Sequence, residues 1–176
     1  LKLNVYVSDP SDFKGLFDSI MEIGLLTNTQ AKAKEIVTNM RSEISKILKT
    51  TIDIPQENRP KVFIEIWSDP LMSAGKGSFI DEIISLAGGV NISSKFPKPY
   101  GLINPEYVIK EDPQIIILAY MTKEEPNATI GSRTGWNNIR AVKSKRIFKD
   151  ISPDILLRPG PRLIDGLKEI NKRLYP

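Results

Sequence analysis

The chain has 176 residues, 40% of them hydrophobic and 26% charged, with a net charge of +4; this is the make-up of a folded protein of about domain size. It contains neither cysteine nor histidine, which excludes disulfides, zinc knuckles, thiol nucleophiles and imidazole-based triads, and argues against a protein-ligated transition metal. Its cations are scattered, the densest run being Lys143-Ser144-Lys145-Arg146 ahead of apolar Ile147-Phe148, so no nucleic-acid partner is expected, and no apolar run approaches the roughly 20 residues of a membrane span.

Leu1-Lys2-Leu3-Asn4-Val5-Tyr6-Val7 opens directly in a strand-like run, without an initiator Met or a leader pattern, and reads as part of a longer protein. Residues 3–7 are expected to form a buried strand closed by Ser8-Asp9-Pro10. Phe13, Leu16, Phe17, Ile20 and Met21 recur at helical spacing up to Gly24. The longest predicted element is a helix over residues 30–48, capped by Thr29, with Ile36, Val37, Met40, Ile44, Ile47 and Leu48 on one face. After a linker over residues 53–60 the pattern becomes strand, loop and helix in repetition. Residues 62–67 form a strand, and Ser78 caps a helix over 79–87 that Gly88-Gly89 ends. Asn104-Pro105-Glu106 supplies a cap, a first-turn proline and an acid beside it. Gln114-Ile115-Ile116-Ile117-Leu118-Ala119-Tyr120 reads as a strand buried on both faces. A polar loop spans residues 122–138, Arg146-Ile147-Phe148 is a short third strand, and Gly160-Pro161-Arg162 opens a last helix. Alternating strands and helices predict an α/β lobe, a Rossmann-like open sheet with helices on both sides.

Ser68-Asp69-Pro70-Leu71-Met72-Ser73-Ala74-Gly75-Lys76-Gly77-Ser78-Phe79 stands between a strand and a helix and invites comparison with a nucleotide-phosphate loop. A Walker loop needs glycine five residues before its Gly-Lys pair and a hydroxyl directly after it. Here those places hold Pro70 and Gly77, and no acid ends another apolar strand. The stretch is therefore read as a rim at the carboxyl edge of the sheet, where ligands of open α/β folds sit. Trp67 and Tyr120, at strand ends, add aromatic surface suited to a large, flat, partly apolar ligand.

In their order along the chain, several segments resemble the substrate-binding proteins of ABC importers for metal chelates, a family whose ligands include ferric siderophores, haem and cobalamin. They are the stretch from Trp67-Ser68-Asp69-Pro70 to Gly77-Ser78-Phe79-Ile80, then Leu86-Ala87-Gly88-Gly89-Val90-Asn91-Ile92, Asn104-Pro105-Glu106-Tyr107-Val108 with Asp112-Pro113-Gln114, Ala141-Val142-Lys143-Ser144-Lys145-Arg146-Ile147 and Arg158-Pro159-Gly160-Pro161-Arg162. The resemblance implies two α/β lobes joined by one long helix: residues 1–27 as the remnant of the first lobe, 28–51 as the linking helix and 52–176 as the ligand-binding lobe. It implies an extracytoplasmic protein that is not an enzyme, has no resident cofactor or metal of its own, and passes its chelate to the importer's permease.

By motif match the family's ligand contacts fall on Met72, Tyr100, Asp154 and Arg158; Trp67 and Tyr120 join them from their strand-end positions alone. Met72 and Tyr100 would lie against an apolar chelate face, and Arg158 would pair with a carboxylate or phosphate, unless Met72 packs in the core and Arg158 pairs with Asp154. Glu106 matches the family's permease-docking glutamate, although an acid in a first helical turn also favours the helix dipole. Two other readings are an enzyme lobe using Lys76, Asp69 and Ser78 on a phosphorylated substrate, and a structural or sensor lobe that binds no small molecule.

Overall fold

Phe63 and Ile64 are neighbours in sequence and lie on opposite faces of one sheet, and this alternation organises the protein. The computed structural model describes residues 5–121 and 130–176. Helices α1 (Phe13–Leu26) and α2 (Gln30–Thr51) come first, followed by strand β1 (Lys61–Glu65), the strands β2 (Trp67–Ser68) and β3 (Leu71–Ala74), and helix α3 (Phe79–Leu86). Then come β4 (Val90–Asn91), β5 (Tyr100–Leu102), α4 (Pro105–Glu111) and β6 (Ile115–Leu118). The chain ends with α5 (Arg140–Lys143), β7 (Ile147–Phe148), α6 (Asp154–Leu157) and α7 (Leu163–Leu174).

The main sheet has the order β4-β1-β6-β7, all parallel, with Val62 opposite Ile115 and Glu65 opposite Leu118. Successive side chains of a strand point to opposite faces. Val62, Ile64, Ile115 and Ile117 accordingly pack with α3, α6 and α7, and with Phe13, Leu16, Phe17, Val37 and Met40 of the first two helices. Phe63, Ile116 and Leu118 pack on the other face with Val108 of α4, Trp136, Ile139 and Ala141. Both faces are covered by helices, so the central strands are apolar throughout, as in parallel sheets generally. The expected α/β lobe is the one observed.

Local signals placed several boundaries well. Ser78 Oγ accepts from the Asp81 amide at 3.1 Å, and Asn104 Oδ1 from the Glu106 amide at 2.8 Å. Thr29 stands at the N-cap of α2 but makes no side-chain cap; its hydroxyl pairs with that of Thr27 at 2.8 Å. Helix α2 is about 33 Å long at 1.5 Å per residue. Glu43 on it accepts from Lys168 of α7 (2.6 Å) and Lys46 (2.5 Å), cations that hold its carboxyl down at about 2.

Other expectations need correction. Of the strand expected over residues 3–7, residues 3 and 4 lie outside the described residues. Val5 and Val7 are 78% and 79% exposed, and residues 5–7 pair with no strand among the described residues. An extended apolar segment needs a ladder partner to become a buried strand, and none is offered here. The strand expected over 62–67 stops at Glu65, because the Ile66 amide turns to the carbonyl of Met72 at 3.1 Å and starts a hairpin. The sheet has a fourth strand, β4, too short at two residues to show any period. Within the polar stretch 122–138, residues 122–129 lie outside the described residues; the rest forms 3-10 turns at Ile130–Ser132 and Trp136–Asn138, with Trp136 only 1% exposed.

Candidate functional site

The stretch read as a loop between Ser68 and Phe79 contains a strand, β3. Strands β2, β3 and β5 form a small antiparallel sheet at the carboxyl edge of the main one, with Trp67 opposite Met72, Met72 opposite Leu102 and Ala74 opposite Tyr100. The Trp67 indole N–H donates to the Asp69 carbonyl at 2.7 Å, which fixes the ring beside the hairpin. The two glycines next in line have steric reasons to be there. A Cβ on Gly75 would lie 2.7 Å from the Lys98 carbonyl oxygen, and Gly77 adopts φ +83°, a left-handed conformation that favours glycine.

Trp67 and Tyr100, each 41% exposed, stand over a hollow of about 400 Å³ lined by these two, Met72, Ile66, Met121 and Leu157. No charged side chain is among them. A second hollow of about 400 Å³ shares Met72 and Tyr100 and is bounded by Phe96 and Lys98. Burial among these apolar neighbours raises the Tyr100 phenol above its ordinary value, so it stays neutral. Exposed apolar surface gathered in a concavity, with a few polar groups at its edge, is the make-up of a small-molecule site.

Of the residues expected at the site, the structure brings Trp67, Met72 and Tyr100 together. Asp154 and Arg158 face each other instead, as an exposed ion pair at 2.8 Å, one residue beyond Leu157 at the edge of the hollow. Tyr120 is outside the lining: its hydroxyl donates to Glu65 at 2.5 Å, and burial together with that carboxylate pushes the phenol far above its ordinary value. Glu106 is exposed in the first turn of α4. For the phosphate-enzyme reading, Ser78 is buried and its hydroxyl donates to the Gly75 carbonyl at 2.7 Å. Asp69 lies in the β2–β3 turn, at the far end of β3 from Lys76 and Ser78. The three do not form a catalytic group.

Sequence reasoning missed Ile66, Met121 and Leu157 as lining residues, although each adjoins a residue it had singled out. It also missed Glu65 and Arg133, which meet in a part-buried ion pair with both N···O distances 2.7 Å. Glu65 did carry a signal, as the one charge within Val62-Phe63-Ile64-Glu65-Ile66-Trp67. Arg133 carried none.

The model of the periplasmic binding protein family matches residues 2–152. The chain belongs to that family. An ABC transporter substrate-binding lipoprotein of Bacillus subtilis, YvrC, is 30% identical over 171 residues, 97% of this chain and 53% of the relative. A vitamin B12-binding protein of Pectobacterium carotovorum is 26% identical over 156 residues, 89% of this chain and 53% of the relative. The chain thus spans about half the length of these curated relatives. Among solved structures, a possible iron-binding, periplasmic solute-binding protein of Staphylococcus epidermidis superposes with a TM-score of 0.82 at 29% identity, covering 98% of this chain and 66% of that one.

Proposed function

We propose that this lobe forms one wall of the ligand site in an extracytoplasmic solute-binding protein, which captures a metal chelate between two lobes and delivers it to an ABC importer permease. The observation that carries the reading is the uncharged hollow under Trp67, Met72 and Tyr100 at the carboxyl edge of the sheet. A ferric siderophore, haem or cobalamin presents a broad, partly apolar face to such a wall. The cargo's metal arrives already chelated, which suits a chain without histidine or cysteine. No proton-transfer or nucleophilic step is required of the lobe.

The exposed apolar side chains Leu25 and Leu26 of α1, with Val5 and Val7, support reading residues 1–27 as part of a first lobe that packs there. On that reading residues 28–51 link the lobes, residues 52–176 make up the second, and Glu106 projects from the rim toward the permease.

Titration of the two-lobe protein with haemin, cyanocobalamin, a ferric hydroxamate and ATP tests the proposal. Saturable binding of one chelate and none of ATP is expected. Binding of ATP alone would restore the enzyme reading, and binding of none of the four would favour a structural lobe. Glu106→Ala is expected to abolish uptake while leaving chelate affinity intact; unchanged uptake removes the docking role.

A further inference from the structure

Glu65 is the last residue of β1 and completely buried. Its carboxylate receives three charge-assisted or short hydrogen bonds: Arg133 Nη1 to Oε2 and Nη2 to Oε1, both at 2.7 Å, and Tyr120 Oη to Oε1 at 2.5 Å. The Arg133 guanidinium also lies over the Trp136 ring, 4.7 Å from its centre. Taking an ion pair out of water costs several kcal/mol per ion, and good geometry at most offsets that cost. An aliphatic residue would continue the apolar run of β1 at no such cost. Stability alone therefore gives this cluster little reason to exist.

Its place in the fold supplies one. Glu65 directly precedes Ile66 and Trp67, and Tyr120 directly precedes Met121, so three of the six residues lining the hollow hang from the two strand ends that the cluster joins. The backbone binds the same ends once more, the Ala119 amide donating to the Glu65 carbonyl at 2.8 Å. Arg133 brings in a third segment, the turns after residue 130, whose Trp136 ring lies under its guanidinium and edge-on against Phe63 of β1. A side-chain network of this kind, centred on a fully buried carboxylate, permits one arrangement where apolar packing alone permits several.

We propose that Glu65 is a positioning residue for the ligand wall: through Tyr120 and Arg133 it holds the strand ends carrying Ile66, Trp67 and Met121 in one arrangement before ligand arrives. Tyr120 serves the site through this carboxylate, its hydroxyl facing Glu65 and its backbone placing Met121. A preformed wall meets its ligand without the ordering cost that a loose one carries. The inference concerns the same hollow as the proposed function and rests on that reading only for what the wall holds.

The chain has four methionines, of which Met72 and Met121 lie in the hollow while Met21 and Met40 lie on α1 and α2. Methyl-labelled methionine NMR, assigned by single Met→Leu variants, therefore reports the wall and the rest of the protein separately. Tyr120→Phe removes one hydroxyl and Glu65→Gln removes the charge at nearly constant shape. In both, the Met121 and Met72 methyl signals are expected to shift or broaden while those of Met21 and Met40 stay in place. Unchanged Met121 and Met72 signals in Tyr120→Phe, or equal change at all four methionines, would overturn the proposal. For whichever of haemin, cyanocobalamin or a ferric hydroxamate the unmodified protein binds, Tyr120→Phe is expected to weaken affinity about tenfold, and an affinity within twofold also counts against positioning. An unmodified protein that binds none of the three defeats the chelate reading and leaves the methyl test to decide on Glu65.

Discussion

Tyr100→Ala is expected to weaken chelate binding by about tenfold to a hundredfold, the loss typical when a central aromatic contact is truncated. Tyr100 stands between the two hollows and is the one aromatic side chain that lines both together with Met72. Its ring is held by backbone pairing, since β5 sets Tyr100 opposite Ala74, and its hydroxyl has no hydrogen bond among the described residues. Because the side chain is 41% exposed in the free lobe, its loss should cost no more than about 1–2 kcal/mol of stability, less than emptying a fully buried aromatic site. Tyr100→Phe separates ring from hydroxyl and is expected to bind within a few-fold of the original. Calorimetric titration of the three proteins with the chelate that binds decides the matter. A loss smaller than twofold in Tyr100→Ala removes Tyr100 from the site.

Trp136→Ala is expected to destabilise the fold by about 3–5 kcal/mol, the cost of emptying a buried aromatic site that cannot fully collapse. Trp136 is 1% exposed, meets the Phe63 ring edge-on at 5.9 Å and 72°, and carries Arg133 on its face. Three losses coincide: the transfer energy of the indole, an aromatic pair, and the cation–π contact that seats a half-buried guanidinium. Domains of this size have about 5–15 kcal/mol in total, so the variant should approach the threshold of folding. Urea unfolding followed by circular dichroism gives the difference directly. A loss under about 1 kcal/mol would mean that the 3-10 turns around Trp136 are not part of the cooperative core. Trp136→Phe keeps the edge contact with Phe63 and is expected to recover part of the loss.

The contrast between these residues shows what was legible. Tyr100 was selected from its motif match, and it lies in the hollow. Trp136, in a stretch rich in glycine, asparagine and threonine, read as loop, because its burial depends on Phe63, which is far away in sequence. Met72 was read in a glycine loop and is in fact the middle of a three-strand ladder. Strands of two to four residues show no period, and only their cross-strand partners define them. Arg158 was given a ligand role and a surface pairing with Asp154 as alternatives. The structure shows the pairing, a matter of one helical turn between i and i+4.

Residues acting on their near neighbours were determined by the sequence alone. The caps at Ser78 and Asn104, the helices over the periodic segments, the two central apolar strands and hence the α/β class all depend on contacts within a few residues or on burial of both sheet faces. So did the rejection of a phosphate loop, which Pro70 and Gly77 decide by themselves. The wall of the site was decided only by the tertiary structure. Ile66, Trp67, Met72, Tyr100, Met121 and Leu157 come from five separate chain segments and meet because β1 and β6 end side by side while β2, β3 and β5 fold over them. The Glu65–Tyr120 hydrogen bond that ties those ends spans 55 residues. Such a contact has no local signature, since its energy depends on desolvation and on partners that only the folded chain brings together.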